Sequence, residues 1–295
     1  ESPPDISKLP PPRYDLTNHD GYLVFFLQTT RGCPYSCKFC TVTEFNGKAI
    51  RKKSAGQVIQ EIETVLLLRK SHLRLIDMDE GRKRKKLATT CIFFTDDNFA
   101  INRKHALEIC KAITDYQKEN GIVINWFTQV NYEVGLDNEL LTAMRNAGCI
   151  QLFMGFESLD PNVLKALKKT MNSPERYAAS IKNVRQHGME VVFSIILGAD
   201  HDTTMVGDEI ARFVEQNNLF LVLPNILTPY PGTVLRKEMD KDERIVQYSP
   251  EYYNIRNVVF QPKMMTPIEL QRVYTDLCKQ IFSIEKMLPR GKKAI

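Results

Sequence analysis

At 295 residues, with 43% hydrophobic and 25% charged residues, the chain has the makeup of a globular protein with a sizeable core, within the range of a single α/β barrel. No apolar run approaches the roughly 18 residues that suggest a membrane span, and no signal peptide is visible. The net charge of +5 is modest and concentrated: residues 82–86 supply five positive charges, and Arg290, Lys292 and Lys293 add three more, so the remainder is slightly acidic and does not read as a nucleic-acid-binding surface.

Residues 1–20 contain Pro3, Pro4, Pro10, Pro11 and Pro12 and read as an extended linker or a disordered tail. A linker at this place, in a chain that opens at Glu1, is expected to follow an upstream domain in a longer protein. Residues 21–245 then alternate between strand and helix patterns. The short apolar run 22–29 is the first strand. Ser54 to Gln57 forms a capping-box pattern ahead of Val58, Ile59, Ile62, Val65 and Leu66, which recur at helical spacing. Strands are expected at 91–95, 123–129, 150–157, 190–197 and 220–227, with helices near 103–119, 137–147, 174–187 and 203–217 between them. Six strands alternating with helices make a parallel α/β sheet, and an open Rossmann-like sheet and a partial barrel both satisfy the pattern. Residues 246–295 read as a C-terminal extension packed on the barrel, with a helix opened by the capping box Thr266 to Glu269.

In either architecture function gathers at the C-terminal ends of the strands. Residues that core packing does not call for stand at the ends of the second to fifth strands: Asp96, Asp97 and Asn98; Gln129 and Asn131; Glu157 and Ser158; Gly198 and Asp200. Helix capping accounts for some of them one at a time, but not readily for the set.

Seven cysteines lie at 33, 37, 40, 91, 110, 149 and 278. An odd, unevenly clustered set is unlike a secreted disulfide framework and points to a reducing, cytoplasmic setting. Cys91, Cys110, Cys149 and Cys278 read as ordinary burial. Cys33, Cys37 and Cys40 fall within eight residues after the first strand. Thiolates suit zinc or iron–sulfur clusters, but structural zinc normally takes four ligands, and neither a second pair nor a nearby His follows. Three thiolates on a four-iron cluster leave one iron open. The five histidines, at 19, 72, 105, 187 and 201, form no metal-ligand spacing.

The run Thr30-Arg31-Gly32-Cys33-Pro34-Tyr35-Ser36-Cys37-Lys38-Phe39-Cys40 resembles the signature of the radical S-adenosylmethionine (SAM) superfamily. PPPRYDL, FFTDDNF, MGFES, SIILGAD and ILTPYPGT are similar to the branch that often carries an N-terminal cobalamin-binding domain. The resemblance spans roughly residues 13–280. It implies a six-stranded partial (β/α) barrel, a [4Fe–4S] cluster on Cys33, Cys37 and Cys40, and SAM chelating the fourth iron. It also implies Phe39 near the adenine, Asp96 or Asp97 at the SAM amino group in place of the family's common Gly-Gly-Glu, Glu157 at the ribose hydroxyls, and Gly198 beside the adenine. Gln129 joins these as a cofactor contact.

The implied activity is reductive cleavage of SAM to a 5′-deoxyadenosyl radical for C–H chemistry, with cobalamin-assisted methyl transfer or a rearrangement as its outcome. An iron–sulfur electron carrier and a radical SAM enzyme acting on transfer RNA are the alternatives. The expected partners are a small-molecule or lipid-like substrate and a reducing donor such as a ferredoxin or flavodoxin. Nucleic acid is not expected, and a peripheral membrane contact through the basic run 82–86 is a further expectation.

Overall fold

The computed structural model describes residues 4–16, 22–76 and 90–294. Six strands form one parallel sheet: β1 Val24–Leu27, β2 Thr90–Phe94, β3 Ile124–Asn131, β4 Cys149–Glu157, β5 Glu190–Leu197 and β6 Leu221–Ile226. Their spatial order equals their chain order, and every neighbouring pair is parallel. This order decides between the two architectures. A doubly wound sheet reverses direction at a switch point, whereas strands added always on the same side by right-handed crossovers put every helix on one face and curl the sheet toward a barrel. Among the described residues β1 and β6 each have one strand neighbour, so the barrel is partial.

The alternation of β2 and β3 shows how the two faces differ. Ile92, Phe94, Ile124 and Trp126 are fully buried and face the helices, as period-two geometry requires. Cys91, Phe93, Asn125 and Phe127 take the opposite, inner face and are only partly buried. Trp126 packs edge-on to Phe94 and donates its indole N–H to the Ala147 carbonyl at 2.8 Å, so the largest core side chain is also satisfied.

The helices on the outer face include α1 Ala55–Ile76, α2 Arg103–Asn120, α3 Asn138–Asn146, α4 Pro161–Ala166, α5 Tyr177–Gln186 and α6 Val206–Gln216. The capping box at α1 is present: the Gln57 N–H reaches Ser54 Oγ, and the Ser54 N–H reaches Gln57 Oε1 at 2.9 Å. The stretch expected as one helix at 174–187 is a 3₁₀ turn, Pro174–Arg176, followed by α5. Helix α4 and α7 Val234–Lys241 have no counterpart in the sequence reading; both are short enough that few apolar positions repeat.

Residues 4–16 do not run free as the linker reading has it. They form two 3₁₀ turns, Ile6 is buried, Tyr14 packs edge-on to Phe25, and the Tyr14 hydroxyl donates to the Phe26 carbonyl at 2.8 Å. The basic run 82–86 lies outside the described residues. Arg290 belongs to the interior, its guanidinium donating to the Ile281 and Lys286 carbonyls. In the C-terminal segment, α8 Pro267–Phe282 begins at the Thr266–Glu269 capping box and lies against α6, where a Cβ on Gly207 would meet Val273 Cγ1 at 2.9 Å. Among the described residues no helix is long and apolar enough to cross a membrane.

Candidate active site

The chain leaves β1 at its C-terminal end and forms the loop that carries the three cysteines. Several bonds from distant elements fix this loop. Asp96, directly after β2, is fully buried and accepts three hydrogen bonds, from the Thr29 and Thr30 N–H groups at 2.6 and 2.9 Å and from the Thr29 hydroxyl at 2.5 Å. Burial pushes its carboxyl up to about 6, while these donors pull it down. Asp97 accepts from the Gly32 N–H at 2.8 Å and from the Asn46 amide at 3.0 Å. Farther along, the Lys38 N–H donates to the Leu167 carbonyl at 3.0 Å, and the Leu235 N–H to the Lys38 carbonyl at 2.9 Å. The loop is thereby tied to the second strand, to the end of α4 and to the start of α7.

The two aspartates therefore separate. Asp97 faces a cavity of about 180 Å³ that Cys33, Cys37 and Cys40 also line. Asp96 does not line it; its oxygens are spent on the chain entering the loop. Of the two aspartates expected at the SAM amino group, Asp97 is the one that faces the cavity, and Asp96 anchors the loop. Asp96→Ala is expected to cost about 3 kcal/mol of stability, because two buried N–H donors and a hydroxyl lose their acceptor. Denaturant unfolding followed by circular dichroism measures this, and the SAM affinity of the folded fraction should change little. Unchanged stability with lost SAM binding would return the cofactor role to Asp96.

Phe39, Gln129 and Glu157 line the same cavity as the cysteines and Asp97. Gly198 does not. Its φ of +96° suits glycine, and a Cβ there would meet Leu270 Cδ2 at 2.6 Å and Phe260 Cζ at 3.3 Å. The C-terminal segment thus fills the space on the side of Gly198 where a Cβ would point. His201 is exposed and lies in a separate cleft with Asp160 and Glu209.

Glu157 is held in an uncommon way. Its φ is +66°, in the left-handed region that costs a non-glycine residue on the order of 1 kcal/mol. The sheet register shifts at this point, between Gly155 and Glu157. Asn172 brackets the distortion by donating to the Gly155 and Phe156 carbonyls at 3.0 and 2.8 Å, and the Tyr177 hydroxyl adds a third bond, to Phe156, at 2.8 Å. The carboxylate then folds back over Gly155, where a Cβ would sit 2.3 Å from Glu157 Oε1. This is a side-chain reason for glycine at 155.

Lys169 completes the cavity. Its Nζ lies 3.1 Å from Glu157 Oε1, with both side chains only 10% exposed. No sequence pattern marked it, since a Lys-Lys pair after a short helix reads as surface charge. Burial pushes the Cys33, Cys37 and Cys40 thiols up, Cys37 to about 11, and the Lys169 charge pulls all three back down. The N–H groups of Tyr35 and Val42 act in the same sense on Cys33 and Cys40. All three cysteines are free of disulfides. Among the described residues, no three His, Cys, Asp or Glu side chains converge as ligands of a single metal ion. Three soft donors spread around one cavity, with N–H groups aimed at two of the sulfurs and a buried cation beside them, are a donor set that fits an iron–sulfur cluster.

Comparison with known proteins gives the same picture. The family model described as the radical SAM superfamily matches residues 27–214. The chain is 31% identical over 242 residues to the hopanoid C-2 methylase of Rhodopseudomonas palustris (strain TIE-1), covering 82% of this chain and 42% of that protein. It is 25% identical to the bacteriochlorophyllide d C-12(1)-methyltransferase of Chlorobaculum tepidum, covering 88% of this chain and 52% of the relative. The chain thus spans about half the length of the curated relatives it matches. Its fold resembles that of the radical SAM methyltransferase TsrM from Kitasatospora setae, solved with cobalamin and a [4Fe–4S] cluster bound, at a TM-score of 0.62 and 17% identity, covering 85% of this chain and 46% of that one.

Proposed function

The chain belongs to the radical SAM superfamily, and from that premise we propose that it is a methyl-transferring radical SAM enzyme whose cofactors occupy the cavity at Cys33, Cys37 and Cys40. One observation carries the reading: the three cysteines, Asp97 and the buried Lys169–Glu157 pair face a single cavity at the C-terminal rim of the sheet. The methyltransferase relatives and the cobalamin in the TsrM structure support methyl transfer assisted by cobalamin.

In this reading the three thiolates hold three irons. Bound there, a cluster would supply the electron for reductive cleavage of SAM, and with it radical C–H chemistry. The protein's own groups orient SAM. Lys169 presents a positive charge for the SAM carboxylate, and Asp97 presents a negative one for its ammonium; charge-assisted bonds of this kind are the strong ones. Lys169 occupies Glu157 Oε1, which leaves Oε2 to accept from ribose hydroxyls. Phe39 offers an apolar surface to the adenine. A reduced ferredoxin or flavodoxin is the proposed electron source.

Incubation of the anaerobically reconstituted protein with dithionite and SAM tests the proposal. The expected product is 5′-deoxyadenosine, formed slowly even without substrate. A full cluster that leaves SAM intact over hours would favour an iron–sulfur electron carrier instead.

A further inference from the structure

The inner face of the sheet continues from the cofactor cavity toward the N-terminal ends of the strands. Phe153, on β4, lines the cavity. One row further down, Phe26, Phe93 and Phe127 stand side by side on β1, β2 and β3, paired in register. Phe26 is 55% exposed and Phe93 and Phe127 are only partly buried, while aromatic residues on the opposite face of the same strands, such as Phe94 and Trp126, are fully buried. Three Phe side chains left incompletely buried on one face of a sheet, next to a cofactor cavity, are a feature that core packing does not call for.

The ring geometry says what could cover them. Phe93 and Phe127 are stacked, with centroids 4.6 Å apart and planes 7° from parallel. That separation is close to the spacing of adjacent strands, so the ring planes stand upright on the sheet and present their hydrogen-bearing edges to the open side. Phe26 meets Phe93 edge to face, at 6.0 Å. Ring edges carry the positive end of the aromatic quadrupole and pair best with the face of another π system. The nearest charges are engaged elsewhere: toward the rim Arg31 donates to Gln28 Oε1 at 2.9 Å. The neighbours on the inner face are uncharged amides and aliphatic groups such as Asn125, Gln151 and Val192, and the acid at its foot, Glu190, is turned to Arg185 at 2.7 Å.

We propose that Phe26, Phe93 and Phe127 form the substrate floor of this enzyme and take the face of a neutral, flat, conjugated ring system that reaches up toward the cofactor cavity. The inference rests on the functional reading above, and it names the substrate class for that same site. The floor sets specificity, and the chemistry stays at the rim. A saturated ring system of similar size would gain the apolar contact without the edge-to-face term, so the floor discriminates in favour of the unsaturated one.

Equilibrium dialysis of the reconstituted protein tests this, with 1-pyrenemethanol as a flat neutral probe and 1-adamantanemethanol as a saturated one. The double variant Phe93→Leu/Phe127→Leu keeps the surface apolar but removes two ring edges. It should weaken 1-pyrenemethanol about tenfold and 1-adamantanemethanol less than about twofold. Cys91, on the inner face two residues before Phe93, supplies a positional readout. Saturating 1-pyrenemethanol should slow its alkylation by N-ethylmaleimide, read by peptide mapping, about fivefold or more, with Cys278 unaffected. Equal weakening of both probes, no binding by the unsubstituted protein, or unslowed alkylation of Cys91 would each overturn the proposal. Iron content and SAM binding measured on the same samples separate a failure of the floor from a failure of the cofactor reading, since the dialysis requires neither SAM nor turnover.

Discussion

Cys37→Ala is expected to lower the iron held by the reconstituted protein from about four atoms per chain to near zero, with loss of the cluster's visible absorbance. Cys33→Ala and Cys40→Ala should behave alike, because a cluster already short of a fourth protein ligand cannot spare a third. The sulfurs are placed for it: all three border one cavity and none is in a disulfide. Cys91, Cys110, Cys149 and Cys278 serve as internal controls. Cys110, on α2, and Cys149, on β4, are fully buried among core side chains, so their alanine variants cost packing energy and leave iron content unchanged. Iron and sulfide analysis after gel filtration reads the difference. Full occupancy in Cys37→Ala would remove the thiolate assignment.

Lys169→Met is expected to have the next largest effect, on two readouts. The first is stability. Truncating one partner of a buried pair leaves an uncompensated charge, at a cost of about 3–5 kcal/mol, and Glu157 at 10% side-chain exposure meets that condition. The second is SAM affinity, which loses a charge-assisted contact and should fall about ten- to a hundredfold. The double variant Glu157→Gln/Lys169→Met separates the two. An amide beside a thioether buries no charge, so most of the lost stability should return, while SAM binding should not. Urea unfolding gives the first quantity and equilibrium dialysis with labelled SAM the second. Recovery of SAM binding in the double variant would show that Lys169 acts only on Glu157 and not on SAM.

The fold was legible because its signals are local and repeated. Six apolar runs at strand length, the first five each followed by a helical pattern, give the strands to within a few residues of their observed bounds. The choice between barrel and open sheet was not legible, since strand order is a property of crossovers and not of any one segment. The pair Asp96 and Asp97 lies between these cases. Alternation carried one step beyond β2 puts Asp96 in phase with Ile92 and Phe94, on the helix side, and Asp97 in phase with Phe93, on the open side. The distinction was thus present in the sequence. Lys169 and Gly198 were not readable in this way. The position of Lys169 depends on the left-handed turn at Glu157 and on the bonds that tie α4 to the cysteine loop. The surroundings of Gly198 are set by Phe260 and Leu270, which reach it from the distant C-terminal segment.

The most direct test of the central claim is the electron paramagnetic resonance spectrum of the dithionite-reduced cluster, recorded before and after SAM is added. If the fourth iron is open and SAM is held by Lys169, Asp97 and Glu157, the g-values should shift on SAM addition, and Lys169→Met should require about ten- to a hundredfold more SAM for the same shift. A fully loaded cluster whose spectrum is identical with and without saturating SAM would contradict the account.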